Sequence, residues 1–257
     1  MLFTKEGLVA GRILRRYQRF LCDVELAGGD LVIAHCANTG TMATCWAPGD
    51  LVLLEPIHNP RRKLHYDWIC CRRDGHWVGV HTAIPNRVVE EAARRDLLPG
   101  LGGLHGVRRE VPYGVERSRI DVLASDAAGR RVYIEVKNTT LRDDAGGRAL
   151  VRFPDAVTAR GAKHLRELRA VALQGHRAAV VFFVHRDDVT AFDVASHIDP
   201  EYASELERAA AAGVQVLPVQ VRMDVSSDGQ ERWTVAWSLA GLLPCRRANV
   251  PGQAPRI

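Results

Sequence analysis

Residues 118–138, SRIDVLASDAAGRRVYIEVKN, constrain this chain more than any other stretch. Two apolar runs flank a polar segment carrying Asp126 and Gly129, the composition of a strand, a short turn and a second strand. Side chains alternate along a strand, so Tyr133, Glu135 and Lys137 share one face and Val132, Ile134 and Val136 the other. A turn centred near Ala128 places Asp121 across from Glu135. Two carboxylates opposed across a ladder repel each other, and a bound cation removes that cost. Mg²⁺ takes one or two carboxylates and fills its remaining positions with water and phosphate oxygens. Lys137, two residues beyond Glu135, would orient an attacking water or offset phosphate charge. The stretch therefore predicts a metal-dependent phosphodiesterase site with Asp121 and Glu135 as metal ligands. A solvated hairpin face carries the same residue types, and the motif alone leaves both readings open.

The rest of the chain bounds the class. At 257 residues and 47% hydrophobic content it can bury one core or two. Lysine and arginine exceed aspartate and glutamate by 35 − 30 = 5, and the excess is mostly arginine, whose planar fork suits phosphate. The six cysteines (Cys22, Cys36, Cys45, Cys70, Cys71 and Cys245) form no C-x-x-C pair and read as reduced, mostly buried thiols. The N-terminal MLFTKEGLVAGRILRR lacks the apolar centre of a signal peptide, and no apolar run reaches the length of a membrane span, so the expected compartment is the cytoplasm and no membrane partner is expected.

Two regions differ in pattern. Residues 1 to about 82 alternate short apolar runs with turn signals at Gly28-Gly29-Asp30, Ala37-Asn38-Thr39-Gly40, Pro48-Gly49-Asp50 and Asp74-Gly75, the spacing of an all-β barrel of OB type. From residue 83 onward helices and strands alternate. Pro85-Asn86 opens the helical RVVEEAARRDLL, VRREVPYG reads as a strand, LRDDAGGRALVRFPDA as a loop, and TARGAKHLRELRAVALQ as a helix facing the core with Ala162, Leu165, Leu168 and Ala172. AAVVFFVHR is a buried strand, Asp199-Pro200 an N-cap followed by proline in a first turn, and VQVLPVQVRM another strand. The series predicts an α/β domain with a mixed sheet over residues 83–257, with an irregular tail after Pro244.

Basic clusters at Arg15-Arg16 with Arg19, Arg61-Arg62-Lys63, Arg72-Arg73 and Arg108-Arg109 are interleaved with Tyr17, Phe20, Tyr66, Trp68 and Trp77. Barrels bind single strands with cations and stacking rings. Solvated charges beside core aromatics have the same composition, so both a nucleic-acid surface and an ordinary one stay open. The scattered histidines lack zinc-ligand spacing, and neither G-x-S-x-G nor G-x-x-x-x-G-K-[ST] occurs, which disfavours zinc sites, serine hydrolases and P-loop nucleotidases.

Several blocks together, RRYQRFLCDV, HCANTGTM, PGD, YGVERSRIDVLAS, YIEVKNTTL, FPDAVTARGAKHLREL, HIDP and YASEL, resemble the sugar fermentation stimulation protein A family, over residues 15 to about 216. The resemblance implies an OB-like N-terminal domain and a restriction-endonuclease-like α/β/α domain of the PD-(D/E)XK nuclease type. It implies nonspecific DNA binding and a historical link to maltose and sugar metabolism. Carried over residue by residue, the PD-(D/E)XK pattern falls on Asp121, Glu135 and Lys137, with Ile120 in place of the proline. A glutamate from the first helix maps best to Glu91, with Glu110 as a second candidate. The expected activity is sequence-nonspecific DNA binding with Mg²⁺- or Mn²⁺-dependent phosphodiester cleavage, and the alternative is a DNA-binding regulator whose nuclease fold no longer cuts. Expected nucleic-acid contacts are Arg16, Arg19, Arg62, Lys63, Arg119 and Lys163.

Overall fold

The protein, described here as a computed structural model, is defined over residues 1–144 and 147–246. The N-terminal region contains β1 (Phe3–Tyr17), β2 (Leu21–Leu26), β3 (Leu31–His35), β4 (Leu51–Pro56), β5 (Tyr66–Arg73) and β6 (His76–Gly79). Hydrogen bonding runs β1 to β2, β2 to β3, β3 to β5, β5 to β4 and β4 back to β1. That ring closes a five-stranded barrel of OB topology, with β3 and β5 parallel as the strand order requires. Its interior holds Ile13, Val24, Met42, Leu54 and Trp68 together with Cys22, Cys36, Cys45 and Cys71. All six cysteines are free thiols, and every one except Cys245 is buried.

The second region begins with α1 (Ala83–Arg94), followed by β7 (His105–Tyr113), β8 (Ser118–Ser125), β9 (Arg131–Thr139), β10 (Leu141–Asp143) and β11 (Leu150–Phe153). Then come α2 (Ala159–Leu173), β12 (Arg177–Val184), β13 (Ala191–Val194), α3 (Pro200–Ala211), β14 (Gln215–Ser227) and β15 (Arg232–Leu242). The sheet order is β15-β14-β12-β9-β8-β7, parallel at β14–β12–β9 and antiparallel elsewhere. Helix α1 covers one face with Val88, Val89 and Ala92 against Val122, Ile134 and Val181. Helices α2 and α3 cover the other with Leu165, Leu168, Tyr202 and Leu206 against Val180 and Phe182. Both faces of β12 are thus buried, which is why AAVVFFV reads as one apolar run without alternation. Burial of each large side chain in these layers contributes roughly 1.5–3 kcal/mol.

Local chemistry sets the helix starts. Thr158 Oγ1 accepts the Gly161 amide at 3.0 Å to cap α2, and Asp199 Oδ1 accepts the Tyr202 amide at 2.9 Å to cap α3. The second Asp199 oxygen accepts the Thr158 amide at 2.8 Å, so one carboxylate secures both helix entries. Helix α1 starts at Ala83 rather than with Pro85, because a proline anywhere in the first turn lacks only an N–H that has no helical partner.

Two features differ from the sequence expectation, and a third expectation is left untested. The segment expected as a loop contains β10 and β11, which form a small sheet with β13. Strand β15 had no counterpart in the sequence reading. Most of the tail expected to be irregular lies outside the described residues. Strand β1 also serves both regions: Phe3–Val9 pairs with β15 and Val9–Tyr17 with β4 and β2, so one twelve-stranded sheet runs through the molecule.

Two further contacts join the regions. Arg186, 1% exposed, places its guanidinium on Asp188 and donates to Thr140 O at 2.7 Å and to Thr44 O of the barrel at 3.2 Å. Gly79 of β6 donates its amide to His185 O at 2.8 Å, and a Cβ there would lie 2.0 Å from the His185 ring.

Candidate metal and phosphate site

The β8–β9 ladder runs Ser125↔Arg131, Ala124↔Val132, Leu123↔Tyr133 and Val122↔Ile134. Asp121 and Glu135 are the next pair in that register, as a turn at Ala128 requires, but the ladder opens there. The Val136 amide donates to Asp121 Oδ2 at 2.7 Å instead of continuing the ladder. Asn86 Nδ2 of α1 donates to the other oxygen, Oδ1, at 2.8 Å. The opening is the floor of a cavity of about 550 Å³ lined by Asp121, Glu135, Lys137, Asn86 and His164 together with residues from the barrel and from 152–158.

Glu135 is 2% exposed. Its Oε1 accepts from Lys137 Nζ at 2.7 Å and from His164 Nδ1, while Oε2 is enclosed without a partner. His164 Nε2 in turn accepts from Arg160 Nε at 3.4 Å. Burial raises the Glu135 carboxyl, but Lys137 and His164 outweigh it and hold it below the usual range. Asp121 goes the other way. Burial and then the Glu135 charge push it up to about 7, against the Val136 amide and Lys137. The pair therefore carries one negative charge readily, on Glu135, and resists the second.

No group of three or more His, Cys, Asp or Glu residues suited to a metal occurs among the described residues. Two carboxylates with an orphaned buried oxygen fit an ion that draws its other ligands from water and phosphate, as Mg²⁺ does, and do not fit a closed zinc site.

Asp121, Glu135 and Lys137 are thus brought together, and Arg19 joins them at the cavity mouth. Glu91 is not. It pairs with Arg95 Nε at 2.5 Å, away from the cavity lining, and Asn86 supplies the contact from α1. The two positions are five apart, about 140° around a helix, so one helix face cannot present both. Glu110 lies outside the lining, although its charge adds slightly to the field at Asp121.

The other expected contact residues divide. Arg16 is committed to the chain itself, donating to Arg19 O at 2.5 Å, Asn38 O at 2.8 Å and Gly40 O at 3.0 Å. Arg62 grips Asp67 with two hydrogen bonds of 2.8 and 2.6 Å. Lys63 is exposed, Arg119 is exposed with one bond to Glu110 O at 3.2 Å, and Lys163 is half-buried outside the cavity lining. Of the interleaved aromatics, Trp68 is in the barrel core and Phe20 is 46% exposed.

His164 and Asn86 were not singled out from the sequence. The helical pattern sets His164 with Arg160 and Lys163 on a partly basic face apart from the core row, but the structure buries it, 5% exposed, beside Gly161, Leu165 and Leu168, because its ring meets the buried Glu135. Asn86 carried no signal of its own.

An OB barrel joined to an α/β domain whose mixed sheet opens on two carboxylates and a lysine defines the class. Residues 14–80 match the SfsA N-terminal OB domain and residues 83–227 the Sugar fermentation stimulation protein RE domain. The chain belongs to the sugar fermentation stimulation protein family. It is 49% identical over 210 residues to the sugar fermentation stimulation protein homolog of Geobacter metallireducens, covering 82% of this chain and 88% of that one. It is 48% identical over 231 residues to the homolog of Rhodospirillum rubrum, covering 87% and 94%. Among solved structures, Pyrococcus furiosus SfsA in complex with Ca²⁺ superposes with a TM-score of 0.81 at 26% identity, covering 96% of this chain and 99% of that one. No helix among the described residues is long and apolar enough to cross a membrane.

Proposed function

We propose that this protein binds DNA without sequence preference and hydrolyses phosphodiester bonds in it with Mg²⁺ or Mn²⁺ held by Asp121 and Glu135. The observation that carries the reading is the enclosed, unpartnered Glu135 Oε2 in the same cavity as a carboxylate that resists ionising and a lysine. The Ca²⁺ complex of the Pyrococcus furiosus relative supports a divalent cation in this fold. A bound divalent cation supplies positive charge at the scissile phosphate and offsets the cost of ionising Asp121. The chain's own residues do the rest. Asn86 and Val136 fix the two Asp121 oxygens, and His164 fixes Glu135. Lys137 holds positive charge where the phosphate oxygens gain negative charge, and its ammonium can donate to the attacking water. Arginine contacts to the backbone carry no base information, which suits binding without sequence preference.

A second reading, a DNA-binding regulator that does not cut, draws on one contact. Lys137 and His164 both occupy Glu135 Oε1, an internal neutralisation that keeps the pair stable without an ion. Purified protein incubated with Mg²⁺ or Mn²⁺ and single-stranded, duplex and branched DNA separates the two. Cleavage that Asp121→Ala and Lys137→Ala each reduce by about a hundredfold or more supports the enzyme. Binding without cleavage on every substrate supports the regulator, and no binding at low salt rejects both.

A further inference from the structure

The cavity lies between two stretches of chain that touch. On the barrel side are Arg19 and residues 38–40, and opposite them are residues 152–158. Thr41 Oγ1 donates to Asp155 at 3.3 Å and the Met42 amide donates to Asp155 Oδ2 at 3.4 Å, which joins the two walls. The barrel wall is itself held by the Arg16 guanidinium on the carbonyls of Arg19, Asn38 and Gly40. Glu135 sits behind these walls, 2% exposed. At about 550 Å³ the cavity has the volume of a site that encloses one small-molecule-sized ligand. A stiff duplex presents its backbone on the outside of a broad cylinder and cannot bring a phosphate down to a carboxylate so enclosed. One flexible strand can.

The mouth of the cavity is equipped for such a strand. Gln18 and Arg19, at φ of +49° and +66°, put two consecutive non-glycine residues in the left-handed region within the three-residue turn that joins Tyr17 of β1 to Leu21 of β2. That turn holds the exposed Arg19 at the cavity lining, and Phe20, next in the chain and outside the lining, is 46% exposed. The loop between the first two strands of an OB barrel is one of its oligonucleotide-contacting loops. Here that loop opens onto the carboxylates.

We infer that the cavity takes a single unpaired strand, with Arg19 on a phosphate and the Phe20 ring stacked on a base just outside the mouth. This rests on the nucleic-acid reading above and names its substrate class. A stacking ring is indifferent to base identity and requires that the base be unpaired.

The test uses the full chain in chelator, so that nothing is cleaved, with a fluorescent oligonucleotide as a single strand and as a blunt duplex, read by anisotropy at low salt. The single strand binds at least about tenfold tighter than the duplex, and Phe20→Ala weakens single-strand binding about tenfold while leaving duplex binding unchanged. Arg19→Ala weakens single-strand binding and lowers its salt slope by about one. Thermal melts confirm that both variants remain folded. Duplex binding as tight as single-strand binding, or a strand preference that Phe20→Ala leaves intact, overturns the inference while the DNA-binding reading stands. Binding of neither probe overturns both.

Discussion

Asn86 donates to Asp121 Oδ1 at 2.8 Å, so α1 reaches the carboxylate pair with a neutral amide. Asn86→Asp places a third carboxylate in the cavity. It should tighten Mn²⁺ binding by about tenfold or more, given the strength of charge interactions at low effective dielectric, and should lower stability in chelator. Glu91→Gln, which breaks only the exposed pair with Arg95, should leave Mn²⁺ affinity unchanged and cost under about 0.5 kcal/mol. Calorimetric titration with Mn²⁺ and urea unfolding check both.

Asp121 gives the metal-free protein a pH dependence of unusual sign. Its carboxyl rises on folding from the ordinary aspartate value of 3.8 to about 7, because burial and Glu135 disfavour its charge. Between those pH values the folded state binds more protons than the unfolded one, so stability falls as pH rises from about 4 to about 7 and then levels. The loss is no more than about 4 kcal/mol. Asp121→Asn should flatten this trend in chelator, and saturating Mn²⁺ should flatten it in the unsubstituted protein. Urea unfolding across the range measures it.

His185 acts in the opposite sense. The Trp237 indole donates to Nε2 at 2.7 Å, so Nδ1 carries the proton and meets Asn138 Oδ1 at 3.2 Å. Burial pushes the ring down to about 3, with a small push from His81. The folded state therefore refuses a proton that the unfolded chain accepts below about 6.5. This contribution is fully present above that pH and is lost as pH falls toward 3. His185→Gln should remove that slope. The difference between the unfolding curves of the two proteins isolates it from the opposing Asp121 trend.

Gly79→Ala tests the packing between β6 and the end of β12. Its Cβ would fall 2.0 Å from His185 Nε2, on a ring pinned by hydrogen bonds at both nitrogens. Relief requires moving either the ring or the strand, and the expected cost is about 2–3 kcal/mol. Circular dichroism melts should show a lower midpoint, while Gly175→Ala, at a position with open space around it, should show only the smaller cost of its left-handed backbone.

What the sequence disclosed was local. The period of two in VYIEVK and a polar turn at Ala128 are enough to align Asp121 with Glu135, and the observed register agrees. Asp199-Pro200 announced α3 because its capping chemistry spans three residues. What stayed hidden depends on partners far away in the chain. Strand β1 is one unbroken stretch whose two halves join different neighbours, and nothing in FTKEGLVAGRILRRY records that Phe3 will meet Trp237. Arg62 reads as a free cation until Asp67 is seen beneath it. Glu91 and Asn86 lie on one short helix, and only the angle at which α1 lies on the sheet decides which of them meets Asp121.

The shared strand sets how this protein can be divided. A cut between residues 82 and 83 would take away the strand that β15 leans on, leaving Trp233 and Trp237 along a bare hydrogen-bonding edge. Neither piece would be a finished object: one would lack its opening strand and the other would begin with a loose end. The two regions are therefore structurally interdependent, and anyone wishing to separate them must first graft residues 3–9 onto the other side of the cut.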